Sequence, residues 1–372
     1  MTEQLYNISD WQRNSDFYPA VEILLSIKSF DLAAIRQRYL QARKNLSGKG
    51  GSVERRAVSL GGLAQLKMHG GKAQTLHLVE HLKEPRGLSS AGDRLAFSLE
   101  NRVIIIDENG EHSFSNPWFS YIHTVAFHPL KKDVVLVSSS GFDALFEYHY
   151  PSGEKLWEWF AWENGLNKAH GADGEDIYLT RSEDQHLSWQ AEGLQHLYIS
   201  NPEKDHLPTA QRAAFINTAS YDAVGNIQAT LFHEGSVRSI NRQDGSSKII
   251  LKGLKFPHGG FLISEDRVMA TNTGKGELWI KSKNEIQKFI GDGLANKASE
   301  MGDAEWWQNA VSWGDYFLVI DSNRNSIIVL DPKQKQYDLI AFDANWAVQD
   351  LVILNGSEPS FSEVLEQYQA EE

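Results

Sequence analysis

Two stretches decide the fold when laid side by side: KAQTLHLVEHLKEPRGLSSAGDRLAFSLENRVIIID, from Lys72 to Asp107, and SSKIILKGLKFPHGGFLISEDRVMATNTGKGELWI, from Ser246 to Ile280. Each reads as a strand, a turn, a Pro-(Arg or His)-Gly string, a second strand, an Asp-Arg turn, a third strand, a polar tight turn and a fourth strand. Self-similarity over this length marks a repeat architecture rather than unrelated hairpins.

Working outward, the string that opens a strand recurs as PRGL at Pro85, IHTV at Ile122, AHGA at Ala169, INTA at Ile216, PHGG at Pro257, QNAV at Gln308 and QDLV at Gln349. Its second position is polar each time: Arg86, His123, His170, Asn217, His258, Asn309 and Asp350, at spacings of 37, 47, 47, 41, 51 and 41. A period of about 40 to 50 residues built from four short antiparallel strands is that of β-propeller blades. The expected fold is all-β, a propeller of four-stranded antiparallel blades: seven blades on the marker count, or six with extra terminal strands. The last marker is followed by one strand only, while residues 52–80 supply about three strands and no marker. These two groups are expected to close one mixed blade, which removes the edges of an open ring.

The flanks read differently. DLAAIRQRYLQARKNL, from Asp31, has apolar positions at helical spacing behind an Asp N-cap, and SGKGG then breaks it. Residues 1–50 are therefore expected to form a helical N-terminal extension, residues 51–355 the propeller, and residues 356–372 an acidic tail. A formal net charge of −13, spread along the chain, opposes nucleic acid and anionic membrane surfaces. There is no Cys, so disulfides and thiolate metal sites are excluded. The start has no basic segment leading into an apolar one, and no apolar run reaches a membrane span, so the expected compartment is the cytoplasm.

In a propeller the innermost strand of each blade lines the central channel and its first residue sits at the mouth, so the seven markers should converge. His123, His170, His258 and Arg86 are the candidate catalytic groups, and Asn217, Asn309 and Asp350 candidate ligand-binding ones. Three imidazoles with amide and carboxylate oxygens are a donor set for a divalent metal on His123, His170 and His258. Without a metal, the same groups bind an anion or serve as acid and base near neutral pH. Returning strands add His233, Glu234, Asn272, Asp321 and Arg181 to the same face. Trp162 and Trp307, with Trp118, Phe119, Trp306 and Trp346, are expected to form an aromatic collar for a small-molecule ligand at the channel mouth or a rim for a protein partner. The reaction class stays open between a metal-dependent hydrolase or lyase, a group transferase and a non-catalytic interaction scaffold.

SSSGFDALFEYHYPSGEKLWEWFAWENG, from Ser138 to Gly165, resembles the segment that closes a blade in arylsulfotransferase-like bacterial propellers, and FPHGGFLISEDRVMATNTGKGELWI is similar to NHL-type repeats. The resemblance covers roughly residues 85–350. It implies a propeller fold and, for the first group, axial histidine and arginine that move a sulfuryl group between phenols. The matching positions are His123, His170, His258 and Arg86.

Overall fold

Short apolar strands separated by Gly, Asp-Arg and Asn turns fold here into antiparallel meanders, seen in a computed structural model that describes residues 1–42, 57–171, 174–354 and 356. Blade 1 runs Leu88–Ala91, Arg94–Ser98, Arg102–Asp107 and Gly110–Ser115. Blade 2 runs Ile122–Phe127, Val134–Ser139, Ala144–His149 and Glu154–Phe160. Blade 3 runs Ile216–Tyr221, Ile227–Leu231, Ser236–Ile240 and Ser247–Lys252. Blade 4 runs His258–Ser264, Arg267–Asn272, Glu277–Lys281 and Glu285–Ile290. Blade 5 runs Trp307–Trp313, Tyr316–Asp321, Ser326–Asp331 and Gln336–Ala341. Blade 6 takes its inner strand from the C-terminal side, Val348–Leu354, and the rest from the N-terminal side: Val21–Ile27, Leu60–His69 and Lys72–Lys83.

Seven sheets are present among the described residues, but six close the ring. The innermost strands touch in the order of blades 1, 2, 3, 4, 5, 6 and back to 1, and the inner strand of blade 2 packs directly on that of blade 3. The remaining sheet, Lys168–His170, Asp176–Thr180 and His196–Tyr198, belongs to an insertion between blades 2 and 3. Its last two strands are parallel and joined by the helix Glu183–Glu192, a connection that a propeller meander does not use. The AHGA marker thus opens an insertion rather than a blade, and the six-bladed alternative holds.

Among the described residues of the N-terminal extension, the α-helix runs over Leu32–Ala42. Before that, Thr2–Asn7 adds a parallel fifth strand to the outer edge of blade 4, and Gln12–Arg13 does the same on blade 5. Val21–Ile27 then enters blade 6. Alternating LYNI and WQR residues explain why this stretch resists a helix: Ile8 and Trp11 bury against Phe289 and Leu278 while their neighbours stay exposed. The segment covers two open edges, which the helical pattern downstream had masked. The linker over 47–51, the start of the expected VERRAVSL strand and the acidic tail after Gly356 lie outside the described residues; the second strand of the closing blade is Val21–Ile27, and Leu60–His69 is the third.

Blades are tied by buried tyrosine–carboxylate bonds as well as by apolar packing. Tyr150 donates to Asp107 at 2.9 Å between blades 2 and 1, Tyr221 to Glu147 at 2.6 Å between blades 3 and 2, and Tyr18 to Asp338 at 2.6 Å beside blade 5. Glu147, fully buried, is also paired with Arg242. Such pairs fix blade rotation, because a buried carboxylate left without donors is costly.

Candidate functional site

Channel residues in four of the six innermost strands owe their placement to a bulge at the same point of the strand. The ladder skips from Ile122 to Thr124 in blade 2, Ile216 to Thr218 in blade 3, Trp307 to Asn309 in blade 5 and Val348 to Asp350 in blade 6. The bulged residues are His123, Asn217, Gln308 and Gln349, and a bulge re-aims a side chain out of the ladder. Arg86 and His258 hold the corresponding place in blades 1 and 4. The expected markers Asn309 and Asp350 are therefore one residue further along, in a second layer with Thr124, Thr218 and Gly259. Gly259 is required there, because its φ is +60° and Asn309 Oδ1 occupies the place a Cβ would take.

Two residues before each ring position, the chain enters the left-handed region in four blades: Glu84 at φ 46°, Tyr121 at 49°, Phe215 at 50° and Phe256 at 55°. Large aromatic residues rarely adopt this conformation, and such strain gathers at functional sites. The result is an aromatic lining of Tyr121, Phe215, Phe232 and Phe256 above the ring, with Phe232 and Phe256 stacked at 4.9 Å.

His123 and His258 face one another with ring centroids 6.4 Å apart and planes 17° from parallel. Both are buried. Arg86 Nη1 lies 3.0 Å from His123 Nε2. A guanidinium only donates, so this nitrogen accepts and the His123 proton sits on Nδ1. That buried Nδ1 has no hydrogen-bond partner among the described residues, nor has the buried Asn217 Oδ1, whose amide nitrogen donates to Pro257 O at 2.7 Å. His258 has the opposite arrangement. Its Nδ1 is 3.0 Å from Thr273 Oγ1 and 3.3 Å from the Phe256 carbonyl, so Nδ1 carries the proton and the Nε2 lone pair is left toward the channel. One histidine thus offers a donor and the other an acceptor.

Burial pushes both imidazoles down. His258 falls to about 3, with Lys28 and Arg86 adding to burial and the Phe256 carbonyl opposing it. His123 falls well below the ordinary histidine value through burial, then Arg86, His258, Arg212 and Lys28. Asp350 moves the other way, up to about 7, because burial outweighs the bonds it accepts from Leu88 N, Leu351 N and Asn309 Nδ2. The space among His123, Asn217, His258, Asn309, Gln349 and Asp350 is narrow, with room for about one water molecule at the channel floor.

The remaining expected residues are placed elsewhere. His170 lies in the insertion, partly exposed and 3.3 Å from Asp176, so the three-histidine set is not assembled. Among the described residues no group of three or more His, Asp or Glu side chains is placed to hold a metal ion. Glu234 is an exposed partner of Arg238, and His233 bonds the Arg212 carbonyl at 2.8 Å, so they do not act as a pair. Arg181 pairs with Glu158 and Glu163. Asn272 ties Lys255 N to Glu277, and Asp321 accepts from Trp307 Nε1, Asn323 N and Arg324. Trp162 donates to Asp143. Trp162, Trp307, Trp118 and Trp346 are packing residues and form no exposed rim. Trp306 is covered by Tyr39 of the helix, stacked at 4.5 Å.

Lys28, Arg212 and Gln349 join the site without having been foreseen. Lys28 Nζ donates to Gln349 Oε1 at 2.9 Å, and Arg86 Nη1 reaches the same oxygen at 3.4 Å. Arg212, at the end of the insertion, lies 4.9 Å over the Tyr121 ring, with Arg86 5.7 Å from it. The aromatic offset was readable, since Tyr121, Phe215 and Phe256 each stand two residues before a marker; Lys28 and Arg212 carry no such signal.

No family model matches the chain, and no curated protein sequence does. Among solved structures, one from Bacteroides caccae described as a protein of unknown function aligns over 90% of this chain and 99% of its own, with a TM-score of 0.53 and 10% identity. A chain of the nidogen–laminin complex aligns over 89% of this chain and 98% of its own, with a TM-score of 0.51 and 11% identity. The virginiamycin B lyase of Staphylococcus aureus aligns more loosely, over 73% and 69%, at a TM-score of 0.41 and 10% identity. At these identities the likeness is one of fold, and it agrees with the strand order: the chain is a β-propeller.

Proposed function

We propose that the protein binds a small molecule at the channel mouth and moves a proton on it, with His258 Nε2 as the acceptor and His123 Nδ1 as a donor to the bound group, in the cytoplasm. The observation that carries this is the opposed tautomers of two neutral, buried, nearly parallel imidazoles, one of them with its N–H unanswered, lining one small space with Asn217, whose Oδ1 is unanswered too. A channel polar only because it holds water needs neither the fixed tautomers nor the strained aromatics around them. At a value near 3 the His258 lone pair is a weak base, and a negative group in the mouth would move it back toward its ordinary range. The likeness of Ser138–Gly165 to arylsulfotransferase-like propellers falls on blade 2 and the start of the insertion, so it supports blade construction rather than sulfuryl transfer.

A thermal-shift screen of the full chain against a library of small metabolites tests the proposal. The expected result is at least one compound that raises the melting temperature of the wild type and not of His258→Gln or His123→Gln. Hits that stabilise the variants equally, or none at all, would sink it.

A further inference from the structure

One position of the repeat breaks the pattern of the others. In blades 2, 3, 5 and 6 the ladder between the first two strands resumes after the bulge, and its third pair is Ala126 with Leu136, Ser220 with Gln228, Val311 with Leu318 and Val352 with Leu24. Three blades thus place a buried leucine where blade 3 places a glutamine. Gln228 is 1% exposed, and among the described residues neither its Nε2 nor its Oε1 has a hydrogen-bond partner. Thr230 Oγ1, two residues on and on the same face of the strand, has none either. Polar residues continue across the blade on this row, with Ser220 and Ser239 on either side of Gln228. Ser220 Oγ donates to Gly260 O at 3.0 Å, so the row is turned toward blade 4.

Gln228 lies at the bottom of an open groove of about 490 Å³ between blades 3 and 4. Asp222 and Asp266, from the turns that join the first and second strands of these blades, also line it. It therefore opens on the face of the propeller opposite the channel mouth, away from His123 and His258. Ile249, Ile250 and Leu262 give it apolar walls. Its charges balance, with Lys248, Lys281 and Lys283 against Asp222, Glu265 and Asp266. Such a rim favours neither sign of ligand charge, and the carboxamide beneath it presents a donor and an acceptor side by side.

We propose that this groove binds a small neutral molecule carrying a C=O and an N–H side by side on one edge, a primary or cyclic amide, with the Gln228 carboxamide turned into the groove to pair with both. One such edge-to-edge contact answers both orphaned atoms of Gln228, in the manner by which Asn and Gln side chains read the edge of a base. The apolar walls then cover the rest of the ligand, and the groove has the size of a small-molecule pocket.

Ligand-observed NMR on the full chain tests it, with benzamide and uracil as probes. Both should bind saturably. N,N-dimethylbenzamide, which has no N–H, and benzoate, which carries a charge, should bind at least about tenfold more weakly than benzamide. Gln228→Leu installs the residue that three other blades carry at this place. It should lose about tenfold or more in affinity for benzamide while unfolding in urea no earlier than the wild type, because an unpaired buried polar group has been replaced by an apolar one. Gln228→Met, closer in length, repeats the comparison should leucine disturb the packing. Binding of only one of the two amides supports the proposal and tells a primary from a cyclic edge. A wild type that binds neither, or that binds N,N-dimethylbenzamide as tightly as benzamide, would overturn it, as would Gln228 variants that keep the wild-type affinity.

Discussion

Acid should destabilise this protein through its two buried channel histidines, His258 by an amount that can be worked out. His258 has a folded value of about 3, and His123 is held well below its ordinary 6.5. His258 therefore stays neutral in the folded chain at pH 4.5, while in the unfolded chain it takes up a proton below about 6.5. The unfolded state binds more protons in that window, so stability is complete above 6.5 and is lost as the pH falls toward the folded values. Two pH units below 6.5, at about 1.4 kcal/mol per unit, His258 contributes a loss of about 2.7 kcal/mol at pH 4.5. His258→Gln keeps a side chain able to donate to the Phe256 carbonyl but cannot titrate. Urea unfolding followed by tryptophan fluorescence at pH 7.5 and 4.5 should show the wild type losing about 2.7 kcal/mol more than the variant between the two conditions. His123→Gln combined with it should widen that difference, because His123 too is held below its ordinary value. Other groups titrate alike in both proteins and drop out of the comparison. A variant whose stability falls with acid as steeply as the wild type's would refute the reasoning.

Further outcomes follow from neighbouring residues. Asp350, raised to about 7, works in the opposite sense: its unfolded form ionises from about 4, so stability falls as the pH rises from about 4 to 7. Asp350→Asn should gain on the wild type by about 4 kcal/mol between pH 4 and pH 8 in the same urea assay, from a start lowered by about 1–3 kcal/mol through the lost bond from Leu88 N. Asp143→Ala leaves four donors unanswered in a fully buried site and should cost about 3–5 kcal/mol, visible as a lower urea midpoint with the wild-type slope. His170→Ala should change stability by less than about 0.5 kcal/mol and leave any ligand response of the channel intact. Deleting residues 1–19 uncovers the outer edges of blades 4 and 5 and should turn a dispersed protein into one that associates, read by light scattering.

Much of the fold was legible because blades repeat, and repetition averages out local ambiguity. The strands after Arg86, His123, Asn217 and His258 fell where their markers put them. The count of seven failed at one point for a physical reason: AHGA at Ala169 has the local chemistry of a marker, a polar residue followed by Gly, but its strand is only three residues long and pairs with the edge of a β-α-β insertion. Turn chemistry is local, whereas membership of the ring depends on contacts with strands far along the chain. In blades 5 and 6 the markers slipped by one because Gln308 and Gln349 each precede a second polar residue, and alternation cannot tell a bulged residue from its neighbour. Lys28 and Arg212 were out of reach altogether, since nothing near either in sequence says that the chain will bring them beside Tyr121 and Gln349.

The closing blade also dictates an order of events. Its inner strand, Val348–Leu354, is made after every other blade, whereas Val21–Ile27, its partner, is made before them all. Until residue 354 has been synthesised, Val21–Ile27 has one free flank, and the strands that precede it have nothing to lie against until the outer strands of blades 4 and 5, ending at Ile290 and Ala341, have been made. The chain must therefore hold an apolar hydrogen-bonding edge, VEILLSI, without its final partner for most of its synthesis, which is the period in which such an edge recruits a neighbouring chain. A premature stop anywhere before Val348 yields neither a smaller propeller nor a partly working one, because the piece that shuts the ring is the piece that is missing.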